Sequence, residues 1–256
     1  MASLVRRVDS QVQAYGQALK IPNISNLSAR SKTQNTAVTN DTVTETATTL
    51  SIDQWQYIAF NVEDMAAVQS KYDLRAEYAK SAGYGIAKKI DTDLMALTSG
   101  FTTTAVGSFG SNIDDAVIVN AHAALDNADI PDEDRAMVIA PSQKAAIMRI
   151  DKFTAATFLG QYQNPTPVQS GPKSRHLWGE IYGTPVHYTT NVSTTAGTPT
   201  QVNNMLIHRD AMVLGLQMAP RVQSQYVVSQ LAWQVVTDTI YGVINLRLDA
   251  GVLIRS

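Results

Sequence analysis

Residues 25–49 are almost wholly Ser, Thr, Asn, Gln and Ala, with Val38 and Val43 among the few exceptions. A stretch of this composition cannot build a core of its own. Yet Thr42-Val43-Thr44-Glu45-Thr46 concentrates β-branched residues to a degree that a plain linker does not need. Asn40-Asp41 supplies turn chemistry, so the segment reads as a long, polar, two-stranded hairpin. Such a ribbon is marginal in water and persists only against another surface. The chain must therefore find that surface on a partner.

The flanks sharpen this expectation. Leu4, Val5, Val8, Val12, Tyr15 and Leu19 lie near helical spacing, predicting a short helix over 1–20. Ile21-Pro22-Asn23 stops it, because proline disfavours the helical region for the residue before it. Beyond the hairpin, Ile58, Phe60 and Val62 alternate with Tyr57, Ala59 and Asn61, apolar on both faces, so the strand from Trp55 enters a folded body. Residues 1–32 carry Arg6, Arg7, Lys20, Arg30 and Lys32 against Asp9, net +4; residues 33–70 carry Asp41, Glu45, Asp53, Glu63 and Asp64 and no base, net -5. Such blocks either pair between subunits, setting register and rate, or are solvated surface. On the first reading Arg6, Arg7, Arg30, Lys32, Asp41, Glu45 and the neighbouring Trp55 are the candidate inter-subunit contacts.

Met65, Val68, Tyr72, Ala79, Ala82, Ile86, Ile90, Leu94 and Leu97 form a stripe at steps of three and four. This predicts a helix over 62–98, capped by Asn61 and about 54 Å long at 1.5 Å per residue. Gly83 and Gly85 permit a kink or a close neighbour, and Gly100 ends it. Ser111 is the expected cap of a second amphipathic helix. Residues 135–140 read as a buried strand and Pro141-Ser142 as the start of a short helix. Residues 151–180 are loop-rich. Strands follow at 181–188, 204–209, 222–230, 233–236, 243–248 and 252–254, and the order indicates an α+β fold.

With 256 residues, 45% hydrophobic and only 16% charged, the chain has ample core and much neutral polar surface. Net charge -2 argues against a dedicated nucleic-acid binder, and zero cysteines remove thiol chemistry and disulfides. No stretch reaches the roughly 18 apolar residues of a membrane span, and no apolar run follows Arg6-Arg7, so neither a membrane nor a secretory signal is expected. The four Asn-X-Ser/Thr matches (Asn23, Asn26, Asn40, Asn191) accordingly carry no meaning.

Catalytic patterns are weak. Gly83-Tyr84-Gly85 lies in a helix rather than after a strand, which is the wrong context for phosphate binding. His122, His176, His187 and His208 show no ligand spacing and read as structural or surface residues. Asp126, Asp129, Asp132, Glu133 and Asp134 lack the glycine and terminal glutamate of a calcium loop and read as a solvated turn. A hydrolase would need at minimum a pocket joining Asp151, Ser174 and His176. No catalytic residue, metal or cofactor is expected.

Three segments nevertheless combine in a familiar order. They are Ile130-Pro131-Asp132-Glu133-Asp134-Arg135-Ala136-Met137-Val138-Ile139 with Pro141-Ser142, Gly179-Glu180-Ile181-Tyr182-Gly183-Thr184-Pro185-Val186, and Asp238-Thr239-Ile240-Tyr241-Gly242-Val243. Placed after a basic arm, a Thr-rich hairpin, a Trp/Tyr strand and an acidic-capped long helix, they make the chain resemble the major capsid proteins of tailed bacteriophages, with the Hong Kong 97-type fold. That resemblance implies an N-arm over 1–27 and an extended E-loop over 28–62. It implies a peripheral domain with its spine helix over 63–110, an axial domain over 111–215 and returning strands over 216–256. It also implies self-assembly into hexamers and pentamers of a virion shell built in the host cytoplasm, with scaffolding and portal proteins and packaged double-stranded DNA as partners. Some members of that family crosslink a lysine to a neighbour's asparagine, and Lys32 is the candidate here. An encapsulin-like compartment is the alternative with the same fold.

Overall fold

The computed structural model describes residues 1–12, 16–24, 29, 31–38, 45–65, 70, 73–150, 177–195 and 201–256. Helices and strands are mixed as an α+β fold requires, and the strands form two sheets and a separate ribbon.

The first sheet has four strands in the order β1 (Arg6–Arg7), β11 (Met212–Val227), β12 (Ala232–Asn245), β4 (Gln54–Glu63). β4 and β11 run antiparallel to β12, and β1 runs parallel to the start of β11. One face is covered by α2 (Leu74–Ala96), which buries Ala82, Ile86, Ile90, Leu94 and Met95. Gly85 allows this approach, since a Cβ there would lie 2.7 Å from Ile58 Cδ1.

The second sheet runs β5 (Val106–Gly107), β13 (Gly251–Arg255), β10 (Gln201–His208), β6 (Arg135–Ile139), β8 (Thr184–Tyr188), β7 (Leu177–Ile181), with β9 (Ser193–Thr195) also on β10. Every residue of β6 is buried. A buried amide on β10 is fully used: Asn204 accepts from the Ala140 N–H at 2.8 Å and donates to the Ile254 carbonyl and the Ser256 hydroxyl. α3 (Asp115–Asp126) packs its Ile118, Ala121 and Leu125 into the same core, and α4 (Pro141–Ile147) begins with proline at its first turn.

The ribbon is β2 (Ala18–Ile24) antiparallel to β3 (Glu45–Ser51). A small second core anchors its base, formed by Val8, Val12, Ile21, Leu50, Ile52 and Val213 with Leu246.

Several expectations are corrected. The long helix begins at Leu74, not residue 62, because residues 61–63 are taken by pairing with β12, where Val62 is buried. Its cap is Asp73, whose carboxylate accepts from the Arg75 and Ala76 N–H groups, rather than Asn61. Its 23 residues span roughly 34 Å. The helix over 1–20 shrinks to α1 (Asp9–Val12), since strand pairing with β11 and β3 claims the residues on either side. The ribbon exists, but its first strand is β2, before residue 25; the expected turn at Asn40-Asp41 lies outside the described residues. Pro22 is tolerated there because β2 is an edge strand. The second helix is capped by Asp114 rather than Ser111, with its carboxylate accepting from the Val117 N–H at 2.9 Å.

The strand over 181–188 is two strands joined at Tyr182 and Gly183, both at positive φ (51° and 76°), the backbone of a type I′ hairpin. The separate strands over 222–230 and 233–236, and the first three residues of that over 243–248, fall within a single long hairpin, β11–β12, which turns at residues 228–231 with Leu231 left-handed and ends at Asn245.

Candidate assembly surfaces

Alternation in β4 sorts its side chains onto two faces. Ile58, Phe60 and Val62 point toward α2, and Trp55, Tyr57 and Ala59 point away from it. Trp55 is 67% exposed and Tyr57 69%. Across the ladder, Tyr57 is opposite Asp238 and Trp55 opposite Ile240. Asp238 is buried beside these exposed rings. Arg221 holds its carboxylate in two parallel bonds, Nε at 2.9 Å and Nη2 at 3.1 Å, and the Trp55 indole N–H donates to the same group at 3.3 Å. The Arg221 hydrogen bond, with a smaller contribution from Trp55, keeps the Asp238 carboxyl below the usual carboxylate range against the opposing effect of burial. The result is an aromatic, arginine-bearing plate in which Trp55 and Arg221 are tied to one carboxylate, made of the residue types that dominate protein interfaces.

Two strand edges extend this plate. β4 pairs only with β12, and β11 beyond Leu214 has no second partner among the described residues. Residues 219–225 of β11 are exposed throughout, and Val228 and Leu231 at the hairpin tip stand in solvent. Unpaired strand edges are templates for pairing with another chain. The opposite face is closed: the Tyr241 phenol donates to Asp93 at 2.6 Å and, chiefly through burial, titrates far above its ordinary value. Arg75 stacks on Trp233, whose ring is also edge-on to Tyr226.

The candidate contacts from the sequence do not gather in one place. Arg6 and Arg7 lie in β1 against the body, where Arg6 is 3.7 Å from Asp210 and Arg7 pairs with Asp9. Lys32 is exposed, and Glu45 opens β3 opposite Ile24. Trp55 lies on the aromatic plate. Arg30 and Asp41 are outside the described residues. Arg221 and Asp238 complete the plate but were not among the candidate contacts, because only the β11–β12 register brings them together.

The chemistry candidates resolve structurally. The buried Arg135 guanidinium reaches Asp126 at 2.7 Å and Asp132 at 2.8 Å and also donates to the carbonyls of Ile130 and Pro131, so the acidic turn is neutralised from beneath. Among the described residues no cluster of three potential ligands could hold a metal ion. His208 Nδ1 accepts from the Asp210 N–H. His122 packs edge-on to Tyr182, whose hydroxyl donates to Asp115. Burial, then the charge of Arg135, lowers the His122 pKa below 6.5. Asp151, Ser174 and His176 lie outside the described residues, as does most of the segment expected to be loop-rich. No helix among the described residues is long and apolar enough to cross a membrane.

No family model matches the sequence, and no curated protein matches it significantly. Solved structures do match, 177 chains in all. A capsid of Ralstonia phage GP4 superposes with a TM-score of 0.78 at 14% identity, over 99% of this chain and 87% of that one. The head of Helicobacter pylori bacteriophage KHP40 gives 0.73 at 14% identity, over 98% and 86%. A structure from Mycobacterium phage Che8 gives 0.72 at 20% identity, over 99% and 89%. The chain thus has the Hong Kong 97-type fold of phage capsid subunits, as the ordered motifs led one to expect.

Proposed function

We propose that this chain is a major capsid protein, the repeating subunit of the icosahedral head that encloses the double-stranded DNA of a tailed phage. One observation carries the reading: the likeness to phage capsids and heads spans 98–99% of the chain, arm and ribbon included, rather than a core module alone. The physics agrees. A polar ribbon with little core and an aromatic plate with open edges both lack a partner within the described residues, and a second copy supplies one for each. Closed symmetry then repeats the same contact many times. Nothing observed favours the encapsulin-like alternative, whose neighbours would be enzyme compartments rather than phage heads.

In this reading the arm, the ribbon with its connecting residues, the four-stranded sheet with α2, and the seven-stranded sheet take the roles of N-arm, E-loop, peripheral domain and axial domain. Scaffolding and portal proteins are further partners, and DNA is enclosed non-specifically, with weak salt dependence given net charge -2. Lys32 is the candidate for a covalent crosslink; shells boiled in detergent that release only monomers exclude it.

The test is electron microscopy of the purified chain, alone and with its co-expressed scaffold. Closed shells support the reading, and a chain that stays monomeric in both cases overturns it. A shortened variant isolates the ribbon. Ile24 and Glu45 are already paired, so replacing residues 25–44 with Asn-Gly closes a two-residue hairpin and spares Leu50, which is wholly buried. The shortened chain folds, and shells fail to form.

A further inference from the structure

Where the ribbon joins the body, β3 crosses β11 and β12 at a point where both carry glycine. Gly215 and Gly242 are directly opposed in the ladder. A Cβ on Gly215 would lie 2.8 Å from Leu50 Cδ2 and 3.2 Å from Val12 Cγ2. A Cβ on Gly242 would collide with the Ser51 carbonyl oxygen and approach Ile52 Cδ1 at 3.0 Å. Neither glycine has positive φ, so the conformational freedom of glycine does not explain them. What explains them is space. The pair makes a notch in the sheet into which residues 50–52 settle, and the Ile52 N–H donates to the Gln17 carbonyl at 2.8 Å just behind it.

We propose that the Gly215–Gly242 notch is a positioning seat: it fixes the direction in which the ribbon leaves the body, and so the fit of the ribbon on a second copy of this chain. This rests on the assembly reading above. The two positions differ in a way that makes the idea testable. At Gly215 the obstacle is the end of a flexible side chain, which can turn aside; at Gly242 it is backbone, so the strand itself must move. A small displacement at the base of a stiff, paired ribbon grows along its length, whereas the main core, which lies on the opposite face of this sheet and against the second sheet, need not change.

Because the chain has no cysteine, spin labels placed through Ala47→Cys on the exposed ribbon and Gln223→Cys on exposed β11 report their separation in the isolated subunit. The wild-type background gives one narrow distance distribution. Gly242→Ala shifts or broadens it and abolishes closed shells. Gly215→Ala gives a smaller shift and shells of altered diameter, and adding Leu50→Val to Gly215→Ala restores both, because valine removes the obstructing methyl. Gly83→Ala, where a Cβ meets nothing within 4 Å, changes neither readout. Should Gly242→Ala fail to fold, the Gly215→Ala and Leu50→Val pair still decides the matter. Unshifted distances in Gly215→Ala, or a shift that Leu50→Val does not reverse, overturn the seat. Shifted distances in a chain whose wild type forms no shells leave the seat standing and defeat the assembly reading instead.

Discussion

The two sheets of this molecule are built from similar strands and finished differently. In the seven-stranded sheet β6 is buried residue by residue, and a buried amide on β10, Asn204, has all its partners at hand. In the four-stranded sheet α2 covers one face; the base of the ribbon covers part of the other at Gly215 and Gly242, and Trp55 and Tyr57 leave the rest open to solvent. A sheet closed on both faces holds its own subunit together. A sheet whose second face is covered only in part has had some of its burial deferred, and on the open part Trp55 and Arg221 are tied to Asp238 before any partner arrives.

Substitutions put that contrast to the test. The largest loss is expected from Leu206→Ala in the centre of the closed sheet, where the side chain is wholly buried: about 2–5 kcal/mol of unfolding free energy, read by denaturant titration of the isolated subunit. Arg135→Ala comes next, at about 2–3 kcal/mol, because the guanidinium, only 2% exposed, leaves two backbone carbonyls and two carboxylates without their donor. A smaller effect, visible only in acid, belongs to His122. Its buried Nε2 has no hydrogen-bond partner, and Arg135, Asp126, Asp132 and Tyr182 surround it. With the folded pKa below the ordinary 6.5, the unfolded chain takes up this proton first. Stability from this group is therefore complete above that value and declines as pH falls through it toward the lowered one. Melting temperatures measured from pH 7.5 downward should show the decline, and His122→Phe should flatten that part of the profile. Trp55→Ala is the smallest for the lone subunit, under about 1 kcal/mol, yet it removes the centre of the open face and should strongly reduce shell yield. Equal losses from Leu206→Ala and Trp55→Ala in the isolated subunit would erase the distinction between the sheets.

Much of the closed sheet was legible in the sequence. Five apolar or paired residues before Pro141 specified β6 and the start of α4, and the motif order specified the fold. The boundary of α2 was not legible, because Met65, Val68 and Tyr72 continue the helical spacing while the competing attraction, pairing of residues 61–63 with residues 232–234, is remote in the chain. The β11–β12 hairpin broke into fragments for a related reason: Arg221, Thr237, Asp238 and Thr239 interrupt the apolar pattern, and Arg221, Asp238 and Thr239 find their partners only after the strands meet, Thr239 by donating to the Met218 carbonyl. The turn at Tyr182-Gly183 lacked the Asn or Asp that usually marks two left-handed residues in succession. Of the open face, sequence reading found Trp55 and missed its anchor, because a side-chain pair created by register has no local trace.

That anchor lies 183 residues downstream of Trp55. During synthesis the indole emerges long before Asp238 does, and at roughly 5–20 residues per second about ten to forty seconds separate them. Until the last strands of the sheet arrive, β4 has no ladder and the plate has no rigid shape. A truncated or half-made chain therefore lacks the surface by which it could join its neighbours, so the order in which the polypeptide is made acts as a check that admits only finished copies.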